Sequence, residues 1–413
     1  MSDNLLSLKP FIQKVWEKSA FETPTTIQSQ AIPLIKEGKD VIAESPTGTG
    51  KTLAYLLPVL DKIDPQIQGI QAVILASSQE LVMQILEQMQ KWSEGSGIRT
   101  ASFIGGANVA RQLEKIKKRP QLIVGTPGRM LELIKQKKLK MHEVKTVVLD
   151  EGDQLLVPEH INTITQIIKS TLADQRQVVL FSATLTDRAI QIAKELTQNP
   201  EMIQVKKDET IKAGNVEHIY FLCENREKAM LLEKIGRLEG IRGLAFINDI
   251  SEITFTAGKL EFKEIAVSVL HSDLKKDERK TALKNLRTGK IKLLIASDVA
   301  ARGLDIQDVT HVVHVDFAKD MTQYIHRSGR TGRFGADGVV ISLVNEREER
   351  ELKQYSQELN IPIQKKVFYS GKIVDPGERE TIKSNGKEPF KGKKPTQPKS
   401  KAKPSKPKPK AKK

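Results

Sequence analysis

The chain has 413 residues, more than one hydrophobic core usually supports, and its 38% hydrophobic and 29% charged residues are typical of soluble α/β proteins. The single cysteine, Cys223, excludes an intramolecular disulfide, and the apolar runs are far shorter than the about 20 residues that cross a bilayer. We therefore expect a reduced, cytoplasmic protein of more than one domain, without a membrane partner.

Short β-branched runs alternate with longer amphipathic stretches through the first half of the chain. The runs that we interpret as buried strands are residues 40–45, 72–77, 121–126, 146–151 and 177–184. This alternation predicts a mostly parallel sheet with helices on both faces and with ligands at the carboxyl ends of the strands.

The alternation stops near Val205 and resumes at His218. Residues 206–215 (KKDETIKAGN) are polar and lack a hydrophobic period, so they are the predicted interdomain linker. The second series of predicted strands is 218–223, 243–248, 266–271, 292–297, 311–316 and 338–344. The sequence thus predicts an α/β fold with two similar domains, 1–205 and 216–370, and a tail, 371–413.

The tail carries most of the formal net charge of +16. Residues 383–413 hold 13 Lys and one Glu, so +12 lies there and the other 382 residues carry +4. With six prolines and few apolar residues, residues 383–413 cannot offset the entropy of ordering, and we expect the tail, 371–413, to be disordered. Nucleic acid is the favoured partner because lysines neutralise phosphates without reading sequence, and a solubilising extension is the alternative.

A candidate phosphate-binding loop follows the first predicted strand. The segment Ser45-Pro46-Thr47-Gly48-Thr49-Gly50-Lys51-Thr52 resembles a P-loop and precedes a helix-forming run at 53–60. Backbone N–H groups of such a turn close around phosphate oxygens, Lys51 would reach the β- and γ-phosphates, and the Thr52 hydroxyl would face Mg²⁺. Ser45 stands where the general motif has glycine, and a chance turn is the alternative.

The predicted strand at 146–149 ends in Asp150-Glu151-Gly152-Asp153. Beside a P-loop, Asp150 is positioned to hold Mg²⁺ and Glu151 to orient and deprotonate an attacking water. A solvated acidic turn would be the better interpretation if this segment stood alone.

These residues together resemble the DEAD-box family of ATP-dependent RNA helicases, of the compact bacterial type, over roughly residues 20 to 345. Asp150-Glu151-Gly152-Asp153 is similar to the DEAD sequence with glycine in place of alanine, and we expect the exchange to add backbone freedom and adjust rates. The segment Phe21-Glu22-Thr23-Pro24-Thr25-Thr26-Ile27-Gln28 resembles the Q motif. The resemblance implies two RecA-like domains, with ATP and Mg²⁺ as cofactors, Gln28 reading the adenine edge and Phe21 stacking on the ring.

The resemblance also implies an RNA surface and a coupling motif. The residues similar to the family's RNA-backbone contacts are Gly105, Gly106, Thr126, Pro127, Gly128, Arg129, Arg279 and Ser297. Ser182 and Thr184 belong to the Ser-Ala-Thr segment that links hydrolysis to domain movement. Ordinary turn chemistry is the alternative for any one of these glycines.

In the second half, residues 297–305 and 326–333 resemble motifs V and VI. By this resemblance Arg330 and Arg333 contact the γ-phosphate as catalytic fingers when the domains close, Asp305 holds the ribose, and His326 links the site to the first domain. Closure would also be favoured by RNA bound across both domains, so ATP and RNA would help each other bind.

Two departures from the family pattern affect the RNA surface. The family usually has Pro-Thr-Arg-Glu-Leu where this chain has Ser77-Ser78-Gln79-Glu80-Leu81, so one charged phosphate contact should be missing. The salt dependence of single-strand binding should then fall by about 0.7 of a log unit per log salt. Lys276 also stands where the family often has glutamine.

The sequence therefore predicts a monomeric, RNA-dependent ATPase that unwinds short duplexes or remodels ribonucleoprotein, with ribosomal RNA or pre-ribosomal particles as the candidate substrate. A DNA helicase of the same architecture and a catalytically silent RNA-binding module stay open as alternatives.

Overall fold

The computed structural model describes residues 7–19, 21–106, 108–205, 214–301, 308–332 and 336–378. The chain divides into two compact units, residues 1–366 and 367–413. In the described ranges no helix combines the length and the apolar character that a membrane crossing needs. Most of the predicted linker, 206–213, lies outside the described residues, and the predicted domain boundaries stay predictions.

The first sheet has seven strands, all parallel, in the order β3-β4-β2-β5-β6-β1-β7. Its strands and helices are α1 Pro10–Glu17, α2 Thr26–Lys36, β1 Val41–Glu44, α3 Lys51–Lys62, β2 Ala72–Leu75, α4 Gln79–Trp92, β3 Thr100–Phe103, α5 Val109–Lys117, β4 Leu122–Gly125, α6 Pro127–Lys135, β5 Thr146–Asp150, α7 Gly152–Leu155, α8 Pro158–Lys169, β6 Gln177–Ser182, α9 Asp187–Leu196 and β7 Glu201–Gln204.

The second sheet also has seven parallel strands, in the order β10-β11-β9-β12-β13-β8-β14. Its strands and helices are β8 Val216–Leu222, α10 Asn225–Gly236, β9 Gly243–Phe246, α11 Ile250–Phe262, β10 Val267–Leu270, α12 Lys276–Arg287, β11 Leu293–Ala296, α13 Asp298–Ala301, β12 His311–His314, α14 Met321–Ser328, β13 Gly338–Val344, α15 Glu346–Glu358 and β14 Ile363–Lys365.

The predicted α/β class with two mostly parallel sheets is confirmed, and strands not predicted lie at the sheet edges. β3, β7 and β14 were missed. β7 and β14 are largely exposed, so their sequences lack the apolar run that identifies a buried strand. The central strands β2, β4, β5, β6, β9 and β11 are buried along their whole length, as the apolar runs predicted.

A buried histidine–tyrosine cluster packs α14 against strands β8 and β12 of the second sheet. His218 Nδ1 and the Tyr324 hydroxyl are 2.7 Å apart, and the His314 and Tyr324 rings meet edge to face with centroids 4.9 Å apart. Burial lowers the pKa of His218 to about 4 and holds the pKa of His314 well below its ordinary value. Neutral imidazoles therefore form part of the packing beneath α14.

The unit 367–413 begins with a short hairpin. Strand β15, Val367–Tyr369, pairs antiparallel with β16, Lys372–Val374. Ser370 (φ 48°) and Gly371 (φ 77°) both have left-handed backbone, as a two-residue hairpin turn requires. β16 lies inside the segment 371–413 for which the sequence predicts disorder, because the lysine-rich composition further on masks its local Lys-Ile-Val pattern. Residues 379–413 lie outside the described residues.

Candidate functional site

The P-loop candidate joins the carboxyl end of β1 to the first turn of α3. Gly48 (φ 81°) and Gly50 (φ 86°) have left-handed backbone that other residues adopt at a cost. The Lys51 ammonium donates to the carbonyl oxygens of Ser45 (2.6 Å) and Pro46 (2.8 Å). The lysine charge and a helix N-terminus therefore converge on one loop, a combination that attracts phosphate.

Ser45 stabilises the loop from inside. Its hydroxyl is fully buried and lies 2.7 Å from the Thr49 hydroxyl, which donates to the Pro46 carbonyl at 2.8 Å. The Ser45 N–H donates to the Ser182 carbonyl at the end of β6. The serine that replaces the motif's glycine is thus part of the loop's internal hydrogen bonding.

Gln28 lies against the P-loop. It is 3% exposed, its Oε1 accepts from the Thr25 N–H (3.1 Å), and its Nε2 donates to the Gly50 carbonyl (3.2 Å). A Cβ at position 50 would collide with this amide. Phe21, by contrast, is 42% exposed and its ring packs on Trp16 with centroids 5.5 Å apart. The geometry brings Gln28 to the loop, and stacking by Phe21 stays a prediction.

Asp150 ends β5 as a buried carboxylate beside α3. Its Oδ2 accepts from the Tyr55 hydroxyl (2.8 Å) and its Oδ1 from the Glu151 N–H (2.9 Å). Burial and the neighbouring Glu151 charge raise the pKa of Asp150 to about 6, against the lowering effect of Tyr55 and Lys51. A nearby cation would therefore stabilise the ionised form. Tyr55 was missed, although it lies one helical turn after Lys51.

Glu151 has left-handed backbone (φ 55°, ψ 56°), an uncommon conformation for a residue with a side chain. Its Oε2 accepts from the Ser77 hydroxyl at 2.5 Å. The sequence did not predict this contact.

Gly152 lies outside the left-handed region, so its backbone conformation does not require glycine, and the expected effect of glycine's freedom on rates stays a prediction. A Cβ there would lie 2.8 Å from Cδ2 and 3.0 Å from Cγ of Leu180, a buried residue of β6. Glycine therefore fits this position because Leu180 fills the space.

Asp153 is the point where the coupling segment meets α14. The Ser182 hydroxyl donates to Asp153 Oδ1 at 2.5 Å, and His326 Nε2 lies 3.0 Å from Oδ2. Burial alone would raise the pKa of Asp153, but His326, Ser182 and Gln154 outweigh it and lower the pKa. The first and second sheets are thus in contact at the acidic motif, through the Asp153 and His326 side chains.

A second contact between the sheets involves the backbone of Gly329. A Cβ on Gly329 would collide with the Thr47 hydroxyl of the P-loop. The neighbouring Arg330 is buried, and its Nε donates to the His326 carbonyl at 3.2 Å. Arg333 and Asp305 lie outside the described residues.

Arg327 has a structural position that the sequence did not reveal. Its guanidinium is buried and binds Asp298 through Nε (2.7 Å) and Nη2 (2.5 Å). It also donates to the Asp316 carbonyl (2.6 Å) and Asn248 Oδ1 (2.9 Å), and lies 5.0 Å above the Phe246 ring. All these partners belong to the second sheet and its loops, so Arg327 fixes α14 to that sheet.

The predicted RNA-facing residues of the first sheet lie at its carboxyl edge. A Cβ added to Gly105 or Gly128 would meet no heavy atom within 4 Å in the described part of the chain, so both backbones are open to an approaching ligand. Thr126 precedes α6 and Pro127 is its first residue. Arg129 forms an ion pair with Glu132 (3.0 Å).

Arg279 and Ser297 belong to the second sheet's half of the predicted RNA surface. Arg279 Nη1 lies 2.6 Å from Oε1 of Glu80, at the start of α4, which is another contact between the two halves. Ser297 is buried after β11, and its N–H donates to the Leu270 carbonyl. Gly106, with left-handed backbone, lies near the Gln79 amide.

Family models match both halves of the chain. The DEAD/DEAH box helicase model matches residues 25–192, and the helicase conserved C-terminal domain model matches residues 226–335. The chain is 52% identical over 369 residues to a probable ATP-dependent RNA helicase, YfmL, of Bacillus subtilis (strain 168), which covers 89% of this chain and 97% of that protein. It is 48% identical over 387 residues to the Bacillus cereus DEAD-box ATP-dependent RNA helicase CshC, covering 94% and 98%.

Solved structures agree with these matches. The chain superposes on S. cerevisiae Dbp5 bound to RNA and ADP BeF3 with a TM-score of 0.80 and 30% identity, covering 93% of this chain and 98% of that one. It superposes on Mss116p bound to ssRNA and AMP-PNP with a TM-score of 0.77 and 26% identity, covering 92% and 79%. The two sheets are therefore RecA-like domains, and the chain belongs to the DEAD-box family of ATP-dependent RNA helicases, which are ATP hydrolases.

Proposed function

We propose that this helicase closes its two RecA-like domains around ATP and single-stranded RNA, and that hydrolysis then releases the RNA. The observation that carries the proposal is the contact of α14 with the first domain, through His326 to Asp153 and through Gly329 to Thr47. Groups from the second domain thereby reach both the P-loop and the acidic motif of the first, so anything that favours docking of the domains would favour a complete site.

In this proposal the first domain binds the nucleotide. Lys51 would exchange the Ser45 and Pro46 carbonyls for the β- and γ-phosphates, and Gln28 would turn its amide from Gly50 to the adenine edge. Phe21 would stack on the ring. The loop residues after Pro46, from Thr47 to Gly50, would supply backbone N–H groups to the phosphates.

The residues around Asp150 fit a magnesium ion. Asp150 is a buried carboxylate whose pKa is raised to about 6 by burial and by the Glu151 charge, effects that a bound cation would offset, and the Thr52 hydroxyl hydrogen-bonds the adjoining Tyr55. Mg²⁺ prefers one or two carboxylates together with phosphate oxygens and water, so Asp150 and Thr52 would hold it. When bound, the ion would neutralise charge on the β- and γ-phosphates.

Chemistry at the γ-phosphate would then depend on this chain's own acid and arginine side chains. Glu151 would orient the attacking water and take its proton, while Arg330, together with Arg333, would stabilise the charge that develops on the phosphoryl oxygens. Asp305 would hold the ribose. Arginines of this kind contribute roughly 10³ to 10⁵ in rate, which makes hydrolysis depend on docking.

RNA would bias the domains towards docking because its proposed contacts come from both of them. The open backbones of Gly105 and Gly128 and the Arg129 side chain would bind phosphates on the first domain, and Arg279 and Ser297 on the second. Ser182 and Thr184 would couple ATP hydrolysis to movement of the two domains relative to each other. Bound RNA and bound ATP would therefore raise each other's affinity by the same factor.

Bending one strand in this cleft would separate a few base pairs, so short duplexes and ribonucleoproteins are the proposed targets. We propose ribosomal RNA or pre-ribosomal particles as the cellular substrate, on the resemblance to compact bacterial-type helicases. The monomer and the cytoplasm are the proposed state and location.

The test compares steady-state ATPase activity with single-stranded RNA and single-stranded DNA of equal length, followed by unwinding of a short RNA duplex. We expect RNA to stimulate turnover, Lys51→Ala and Glu151→Gln to abolish it, and Lys194→Ala, an exposed lysine of α9, to leave it unchanged. Stimulation by DNA alone would favour a DNA helicase. Turnover that is absent, or unchanged in Lys51→Ala, would favour a silent RNA-binding module.

A further inference from the structure

Ser77 lies beside Glu151 because of the register between two neighbouring strands. β2 and β5 are parallel, with Leu75 opposite Leu149. Residues at equal distances beyond this pair reach the same place on the carboxyl edge of the sheet, and Ser77 and Glu151 each follow by two residues. The strand pairing thus brings the serine hydroxyl to the carboxylate, where it donates to Oε2 at 2.5 Å.

The Ser77 hydroxyl is particular to this chain's version of the motif. The usual family pattern has proline at the position of Ser77, and a proline side chain has no hydrogen-bond donor. A hydroxyl bonded to an ionised carboxylate forms one of the stronger, shorter types of hydrogen bond. Ser77 therefore adds a contact to Glu151 that the common motif does not supply.

The four-residue segment 77–80, which we call the Ser77 segment, also contacts the proposed RNA surface and the second domain. The Ser78 hydroxyl accepts from the Leu81 N–H and caps α4. The Gln79 amide lies near Gly106, and Glu80 pairs with Arg279 at 2.6 Å. The Ser77 segment thus lies next to three regions: the proposed water-orienting residue Glu151, the RNA-facing Gly106 and the second domain.

We propose that Ser77 is a positioning residue that couples RNA binding to the orientation of Glu151. This inference rests on the proposed role of Glu151 in hydrolysis. RNA and the second domain fix the Ser77 segment, and Ser77 then holds Oε2 of Glu151 in one orientation, which directs Oε1 to the attacking water. Without RNA the segment moves more, and the carboxylate samples more rotamers.

The left-handed backbone of Glu151 makes such a restraint effective. Strained φ/ψ values persist only where the surrounding structure over-determines them, and Glu151 is held by the Asp150 carboxylate on its N–H and by Ser77 on its side chain. Losing Ser77 leaves the backbone restraint and removes the side-chain restraint. The expected defect is therefore in turnover, with nucleotide binding retained.

The test is Ser77→Ala in the full-length chain, assayed for ATPase activity with and without saturating single-stranded RNA. We expect the ratio of RNA-stimulated to basal kcat to fall about tenfold, as loss of one charge-assisted hydrogen bond implies. Dissociation constants for a fluorescent ADP analogue and for labelled RNA should stay within about twofold of wild type.

Ser77→Thr is the matched control because threonine keeps the hydroxyl, and it should restore at least half of the stimulation. A thermal unfolding midpoint equal to wild type in both variants excludes misfolding as the cause. The inference is overturned if Ser77→Ala leaves the stimulation ratio unchanged, or if Ser77→Thr is as impaired as Ser77→Ala. The Glu151→Gln variant tests the proposed function separately. If this variant keeps its turnover, Glu151 does not orient the attacking water and Ser77 has no catalytic group to position.

Discussion

Replacing Gly152 by alanine restores the common family sequence, and the structure predicts that the exchange is harmful in this chain. The new Cβ would lie 2.8 Å from Leu180 Cδ2, closer than real Cβ atoms approach a neighbour. Leu180 is buried in β6, so its side chain has little room to move. The strain would fall on a residue placed directly between Glu151 and Asp153.

Two opposing effects determine how much Gly152→Ala changes the free energy of unfolding. Overpacking a core position costs about 1–3 kcal/mol, whereas glycine to alanine in a helix gains roughly 0.5–1 kcal/mol. Gly152→Ala should therefore destabilise the protein by about 1 kcal/mol, which lowers the unfolding midpoint by roughly 2–4 °C for a domain of this size. Leu180→Val removes the closest atom and alone should cost about 1 kcal/mol.

The double variant Gly152→Ala with Leu180→Val distinguishes packing from a general effect of alanine. If space is the cause, the two losses will not add, and the coupling energy should reach about 1 kcal/mol in favour of the double variant. Urea unfolding measures the stability, and RNA-stimulated ATPase activity should fall in Gly152→Ala and recover in the double variant. Additive losses, or a Gly152→Ala protein as stable and active as wild type, would refute the reasoning.

Three further predictions concern single residues. Arg327→Met removes the cation that pairs with Asp298 and leaves this carboxylate with the Gln323 amide, so it should cost about 3–5 kcal/mol in urea unfolding, part of which the additional change Asp298→Asn should recover. The pKa of His218 falls to about 4 on folding, so its contribution to stability is complete above its ordinary pKa near 6.5 and decreases as pH falls towards 4. Lowering the pH from 7 to 5 should therefore reduce the unfolding free energy of His218→Gln by about 2 kcal/mol less than that of the wild type, as measured by urea unfolding at each pH. An equal reduction in the two proteins would contradict the assigned cause. Gln79→Arg should add a phosphate contact beside Gly106, tightening single-strand RNA binding and steepening its salt dependence by about 0.7 of a log unit per log salt in a titration, whereas Gln79→Met should do neither.

The sequence was informative where one residue type is tied to one local geometry. Gly48 and Gly50 were identifiable because a loop between a strand and a helix needs left-handed backbone there. Central strands such as β5 were identifiable because a parallel strand buried on both faces is apolar throughout. The order of these features along the chain was enough to predict the inner strands of both sheets and the loop between β1 and α3.

Contacts between residues far apart in the chain could not be obtained in this way. Ser77 meets Glu151 only because β2 pairs with β5, and Arg327 meets Asp298 and Asn248 only because their loops converge beyond the second sheet. Three arginines at three-residue spacing look alike in sequence, yet Arg327 is an internal anchor, whereas Arg330 lies beside the residue that approaches the P-loop. Pairing and burial, which sequence spacing does not specify, separate their roles.

The anchoring of Arg327 has a consequence for how the enzyme switches. Because the partners of Arg327 all lie in the second domain, α14, which carries His326 and precedes Arg330, should move with that domain as one rigid body. In the proposed closure both groups would therefore reach the first domain together, and a partly docked molecule would gain neither of them. The turnover rate should therefore be proportional to the fraction of molecules whose domains are docked, and each docked molecule should hydrolyse ATP at the full rate.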